Sequence, residues 1–235
     1  MPVSVPPRAL SALVGLPVLL FALITWQVVA DGPLVGVDER LSGALVHPDR
    51  FSELLSDLGN VQVAVPVLVV ALAYAAWHGR VRGVDLWWLP PLAGALAMVL
   101  VPALVAPLKE WTDRPGTPAV PPATGYYPSG HTATAVVAYG TATLLLVPLP
   151  RSPAVRRALV VLCAVLVLGT SYGLVRRGYH WPLDVVASWC LGVVLLAGVR
   201  LVVRRTPGGG RTSPGVSRST RRSSSGTPSS RNGPS

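Results

Sequence analysis

"YYPSGHTATAVVAYGTATLLLVP", residues Tyr126 to Pro148, joins a polar turn to an apolar run. From 130 to 149 the chain has the length and character of a bilayer-spanning helix, which needs roughly 20 mainly apolar residues. Pro128, Ser129, Gly130 and His131 stand at its start. Imidazole is costly at a membrane boundary unless something there needs it. Working outward, five more apolar runs appear, about 9–30, 61–77, 86–107, 157–175 and 184–203. Pro90, Pro91 and Pro102 interrupt the third, but membrane helices tolerate proline. The chain of 235 residues is 51% hydrophobic and only 13% charged, wrong for a soluble domain of this size. No run alternates as a barrel strand does. The expectation is an all-α, polytopic membrane protein with six transmembrane helices. The first run carries Arg8, and Val28-Val29-Ala30 loosely resembles a cleavage site. Its apolar stretch exceeds the roughly 7–15 residues of a signal core, so a retained helix is expected.

Charge placement sets an orientation. Arg80 and Arg82 occupy one short loop, Arg151, Arg156 and Arg157 another, and the tail from Arg204 holds seven more arginines and no acid. Placed together, these make one side strongly basic, which marks it cytoplasmic. The opposite side holds nine of the ten acids. Both termini are then cytoplasmic in the plasma membrane. The net charge of +10 follows from this asymmetry, and without a basic soluble domain it does not point to nucleic acid. Residues 1–203 read as one membrane domain. Residues 204–235, rich in Ser, Arg, Gly and Pro, read as a disordered basic tail. Between the first two runs, residues 38–59 place Phe51, Leu54, Leu55 and Leu58 at helical spacing. This reads as an amphipathic helix on the outer membrane surface, or as one packed on the bundle.

The remaining polar residues gather at the outer helix ends. A helix N-terminus offers unpaired N–H groups and partial positive charge to an anion. Ser129 adds a hydroxyl, Gly130 lets a ligand approach the backbone, and His131 exchanges protons near neutral pH. Read alone, Ser-Gly-His at a helix start is also an ordinary cap. Lys109, the only lysine beside 19 arginines, ends the third run, and Arg114 follows. Arg176 and Arg177 end the fifth. His180 precedes Asp184 by four residues, one helical turn, so Asp184 can accept a hydrogen bond from the ring and orient it as a nucleophile. Cys163 and Cys190 read as free buried thiols, and His47 and His78 lack metal-ligand spacing. Trp87, Trp88 and Trp111 read as interfacial anchors, while Trp181, Tyr126 and Tyr127 either do the same or line the site.

"LKEWTDRP", "YPSGHT" and "GYHWPLDVVAS" together resemble the three motifs of the type 2 phosphatidic acid phosphatase family, membrane relatives of vanadium haloperoxidases. That pattern is Lys-x6-Arg-Pro, Pro-Ser-Gly-His, and Ser-Arg-x5-His-x3-Asp. The resemblance covers about residues 38–200. It implies a phosphatase without metal or other cofactor, acting on a lipid phosphate or polyprenyl pyrophosphate at the outer leaflet. Lys109, Arg114, Ser129, Gly130 and Arg177 or Arg176 would hold the phosphate oxygens. His180 would form a phosphohistidine, Asp184 would stabilise the ring cation, and His131 would serve as acid and then base. Two positions depart from the pattern. The first-motif arginine falls at Gly116 by spacing, with Arg114 two residues early. The third-motif Ser and Arg fall at Gly173 and Leu174. These departures sustain the other reading, a non-catalytic relative that binds or translocates lipid headgroups.

Overall fold

The computed structural model describes residues 7–205, with side chains from Val14 onward. They form eight helices: α1 (Pro7–Val29), α2 (Pro33–Leu45), α3 (Arg50–Asp57), α4 (Val61–Val81), α5 (Leu89–Thr112), α6 (Gly130–Leu146), α7 (Pro153–Arg176) and α8 (Pro182–Arg205). No strand occurs among the described residues. The tail beyond Arg205 lies outside them. All six apolar runs are helical, and proline opens five of the eight helices in their first turn, where its missing N–H costs nothing. Four helices, α4, α5, α7 and α8, are each long and apolar enough to cross a membrane. Residues 14–29 of α1 and all of α2 add a fifth candidate, bent by 89° at their junction. Large apolar side chains such as Val70, Val99 and Val161 face outward along these helices, as expected where the surrounding solvent is lipid.

The stretch that opened the sequence reading becomes the centre of the bundle. α6 packs against α4, α5, α7 and α8. Every residue from Thr132 to Ala142 is buried, as befits a helix apolar on all faces. Its Ala, Gly and Thr residues let neighbours approach closely. A Cβ on Gly140 would lie 2.5 Å from Leu196, and one on Gly192 of α8 would lie 2.4 Å from Val136. The helix has 17 residues, about 25 Å at 1.5 Å each, and Pro148 and Pro150 follow its end.

The single amphipathic helix expected over 38–59 is two helices. Pro48 lacks an N–H, and Asp49 restarts the chain as an N-cap, accepting from Ser52 N–H in a capping box. α3 rests on only part of its apolar stripe, with half-buried Leu55 against Gly169 and Gly173 of α7. Phe51 and Leu54 are exposed, while Ser52 and Ser56 are buried against α7. A Cβ on Gly173 would sit 2.5 Å from the Ser56 backbone N and 2.6 Å from the Ser52 backbone O. Gly173 therefore admits α3, which explains why no serine stands there. Leu174, beside it, is buried in the core. Packing on the bundle is the arrangement the structure adopts.

Candidate active site

The helix ends that carry the polar residues meet at one end of the bundle. α5 runs five residues past the expected end of its apolar run and stops where Asp113 takes a left-handed conformation with φ of 46°. That extra turn holds Lys109 over the start of α6. The ammonium donates to the carbonyl of Gly125 at 2.6 Å and contacts that of Tyr126 at 3.4 Å. After Asp113 the chain folds back. Gly116 N–H donates to Ala123 O and Tyr126 N–H to Arg114 O. At Gly116 a Cβ would lie 2.7 Å from the Tyr126 ring. Tyr126 fills the space that an arginine at that position would take.

His180 and Asp184 pair as the four-residue spacing expects. The His180 Nδ1–Asp184 Oδ2 distance is 3.2 Å. With Nδ1–H donating to the carboxylate, the Nε2 lone pair is the free one. Asp184 is fully buried and fully partnered, for Oδ2 also accepts from Trp181 N–H and Oδ1 from Arg114 at 2.6 Å. His131 meets a different partner. Its Nε2 lies 2.8 Å from Asn60 Oδ1, and Asn60 Nδ2 donates to Asp57 at 3.0 Å. That chain places the ring proton on Nε2 and leaves Nδ1 as acceptor.

Both imidazoles line the same two chambers. One is an apolar cavity of about 720 Å³ that runs from Lys109, Tyr126, Gly130 and His131 down between α4 and α5, past Val61, Val65, Met98, Val101 and Val105. The other is a smaller recess of about 240 Å³ bordered by Asp57, Asn60, Tyr126, Tyr179, Leu174 and the two histidines. The Tyr126 ring meets His180 edge-on, with centroids 5.8 Å apart. A Cβ added at Gly130 would meet only Val105, at 3.9 Å, so its first-turn backbone borders open cavity.

Several expected phosphate ligands are engaged elsewhere. Arg114 is 5% exposed and spends both terminal nitrogens on carboxylates, Nη1 on Asp184 and Nη2 on Asp38 at 2.7 Å. Its guanidinium also lies over the Trp181 ring. Ser129 is completely buried and caps α6 by accepting from Thr132 N–H, while its own N–H donates to the Asp184 carbonyl. Arg176 points away from the cavity, donating to Asp49 at 2.8 Å. Ser52 N–H and this arginine hold the Asp49 carboxyl down at about 2. Arg177 stacks on Tyr179, donates to its hydroxyl at 3.2 Å, and lies 3.8 Å from Glu53. Its buried Nε has no partner. Of the four expected cations, Lys109 alone borders either chamber. Tyr127 is buried and bonded to Thr25 of α1, while Trp181 donates to Pro115 O, so neither is an interfacial anchor.

Two residues of this network escaped the sequence reading. Asp38 looked like one acid of a surface helix, and its only signal was an acid four residues before Ser42 on the same helical face. Asn60 stands at the N-cap position of α4, but its side chain caps nothing and holds His131 instead.

Residues 90–207 match the PAP2 superfamily. The chain belongs to that superfamily. A curated relative, an undecaprenyl-diphosphatase from Sulfolobus acidocaldarius, is 33% identical over 182 residues, which span 76% of this chain and 74% of that protein. The fold is similar to the crystal structure of a transmembrane PAP2 type phosphatidylglycerolphosphate phosphatase from Bacillus subtilis, with a TM-score of 0.66 and 24% identity. That match covers 80% of this chain and 96% of the other. The PAP2 match includes all three motif regions and begins after α4. It leaves out α2, α3 and the N-cap of α4, where Asp38, Asp57 and Asn60 lie.

Proposed function

We propose that this PAP2 protein hydrolyses a lipid phosphate or polyprenyl diphosphate through a phosphohistidine. One observation carries the reading: two imidazoles, one ammonium and the bare N-terminal turn of α6 converge at the head of a long apolar cavity. A lipid tail fits that cavity and brings its phosphate to the histidines. Lys109 and the first-turn N–H groups of α6 take the phosphate oxygens, where charge is spread in the transition state. His180 Nε2 attacks phosphorus in line. The P–O bond to the leaving group breaks with its electron pair on oxygen, and His131, entering the cycle as an imidazolium with a second proton on Nδ1, supplies that proton there. Asp184 holds the imidazolium that forms. His131 then takes a proton from the water that cleaves the P–N bond. The chemistry needs no metal.

In this reading the bundle crosses the plasma membrane six times, α1 and α6 included, with both termini cytoplasmic. The arginine-bearing turns after α4 and α6 lie at the cytoplasmic end. The site then opens at the outer leaflet. The sequence match to an undecaprenyl-diphosphatase favours a polyprenyl diphosphate over phosphatidic acid or phosphatidylglycerophosphate. Phosphate release by the detergent-purified protein from these three substrates tests the assignment. Release from at least one, insensitive to EDTA and lost in His180→Ala, is expected. Release that persists in His180→Ala refutes the nucleophile.

A second reading, a headgroup-binding or translocating relative, draws on the engagement of Arg114 by two carboxylates. It leaves the cup with one facing cation. Lipid binding without any phosphate release would select it.

A further inference from the structure

Asp38 lies outside the matched region and outside the three motifs, yet it joins the network behind His180. The bend of 89° between α1 and α2 turns α2 toward the start of α8. Gln27 stabilises that bend by accepting from Leu34 N–H. Asp38 then reaches two partners. Its Oδ1 accepts from Leu183 N–H at 2.9 Å, one of the first-turn donors that α8 cannot satisfy itself. Its Oδ2 accepts from Arg114 Nη2 at 2.7 Å. Arg114 in turn holds Asp184, and Asp184 holds His180. All four side chains are buried.

We propose that Asp38 is a positioning residue for phosphoryl transfer, balancing Arg114 so that Asp184 remains available to the charge that His180 acquires. The inference rests on the function proposed above. The charge arithmetic decides it. At rest, Asp38, Arg114, Asp184 and a neutral His180 sum to −1. When the Nε2–P bond forms, the ring becomes cationic and the four sum to zero. With Asp38 uncharged, the same sums are zero and +1, so an unbalanced cation is buried at the moment of reaction. That penalty falls on the transition state more than on substrate binding. Arg114, released from one carboxylate, would also compete with His180 for Asp184.

Asp38→Asn tests this, because the amide keeps an acceptor for Leu183 and removes the charge. The full-length protein in detergent, assayed on a polyprenyl diphosphate, should lose about tenfold to a hundredfold in kcat with little change in KM, the usual scale for a partner that orients a reacting group. A purely structural role would lower the unfolding midpoint and raise KM along with the loss in rate, and would overturn the proposal, as would an unchanged kcat. Asp38→Asn/Arg114→Gln returns the resting sum to −1 and should turn over faster than Asp38→Asn. An equal or slower rate overturns the charge argument, and this variant stands in if the single one fails to fold. Wild-type protein that releases phosphate from no lipid sinks the functional reading and this one together. Active wild type with an unaffected Asp38→Asn sinks this one alone.

Discussion

Gly130→Ala separates a phosphate cradle from a simple helix start. The added methyl would touch only Val105 Cγ1, at an ordinary contact distance of 3.9 Å. Nothing in the fold resists it, so stability should change by no more than about 0.5 kcal/mol, or roughly 1–2 °C in unfolding midpoint. Its volume instead enters the cavity at the first turn of α6, where the proposed phosphate meets the backbone N–H groups. Losing one such donor typically costs about 10²–10³ in rate, close to 2.7–4 kcal/mol of transition-state stabilisation. Steady-state hydrolysis of a polyprenyl diphosphate, with thermal unfolding monitored in the same detergent, reads both quantities. The expected result is a rate loss of at least about a hundredfold with an unchanged midpoint. Retention of the wild-type rate would show that this turn does not hold the reacting phosphate. Loss of both rate and stability would show that the position is a packing contact.

Other substitutions probe the scaffold. Gly173→Ala drives a methyl into the backbone of α3, with atoms at 2.5 and 2.6 Å, and should destabilise by about 1–3 kcal/mol, read as a lowered unfolding midpoint. Ala at the exposed-facing Gly15, where nothing lies within 4 Å, should leave the midpoint unchanged. Asp49 is held at about 2, below its ordinary 3.8, so its contribution to stability is present above about pH 4 and lost as pH falls through about 2. The stability gap between wild type and Asp49→Asn should therefore narrow over that range; a gap independent of pH would refute the ion pair with Arg176. Lys109→Met should cost at least about a hundredfold in phosphate release, because no other expected cation borders the cavity; a milder loss would mean that Arg114 or Arg177 turns inward when substrate binds.

The amino-acid sequence by itself determined the helical membrane character, because runs of some 20 apolar residues have no other stable form in lipid. It also determined the His180–Asp184 pair, since one helical turn brings residues four apart together whatever surrounds them. The start of α6 at Gly130 was legible for a similar reason: Pro128 and Ser129 act on their immediate neighbours. Only the tertiary structure decided where the charges go. Arg114 finds Asp184 across 70 residues and Asp38 across 76, and His131 finds Asn60 across 71. No local rule selects such partners. A buried guanidinium takes whichever carboxylates the packed helices bring within reach, and that depends on the bend between α1 and α2 and on the small residues that let α3 lie against α7. Ser129 follows the same logic in reverse, because its hydroxyl, free to bind a ligand when read from sequence, is enclosed by the packing of α6 on α8 and serves its own helix.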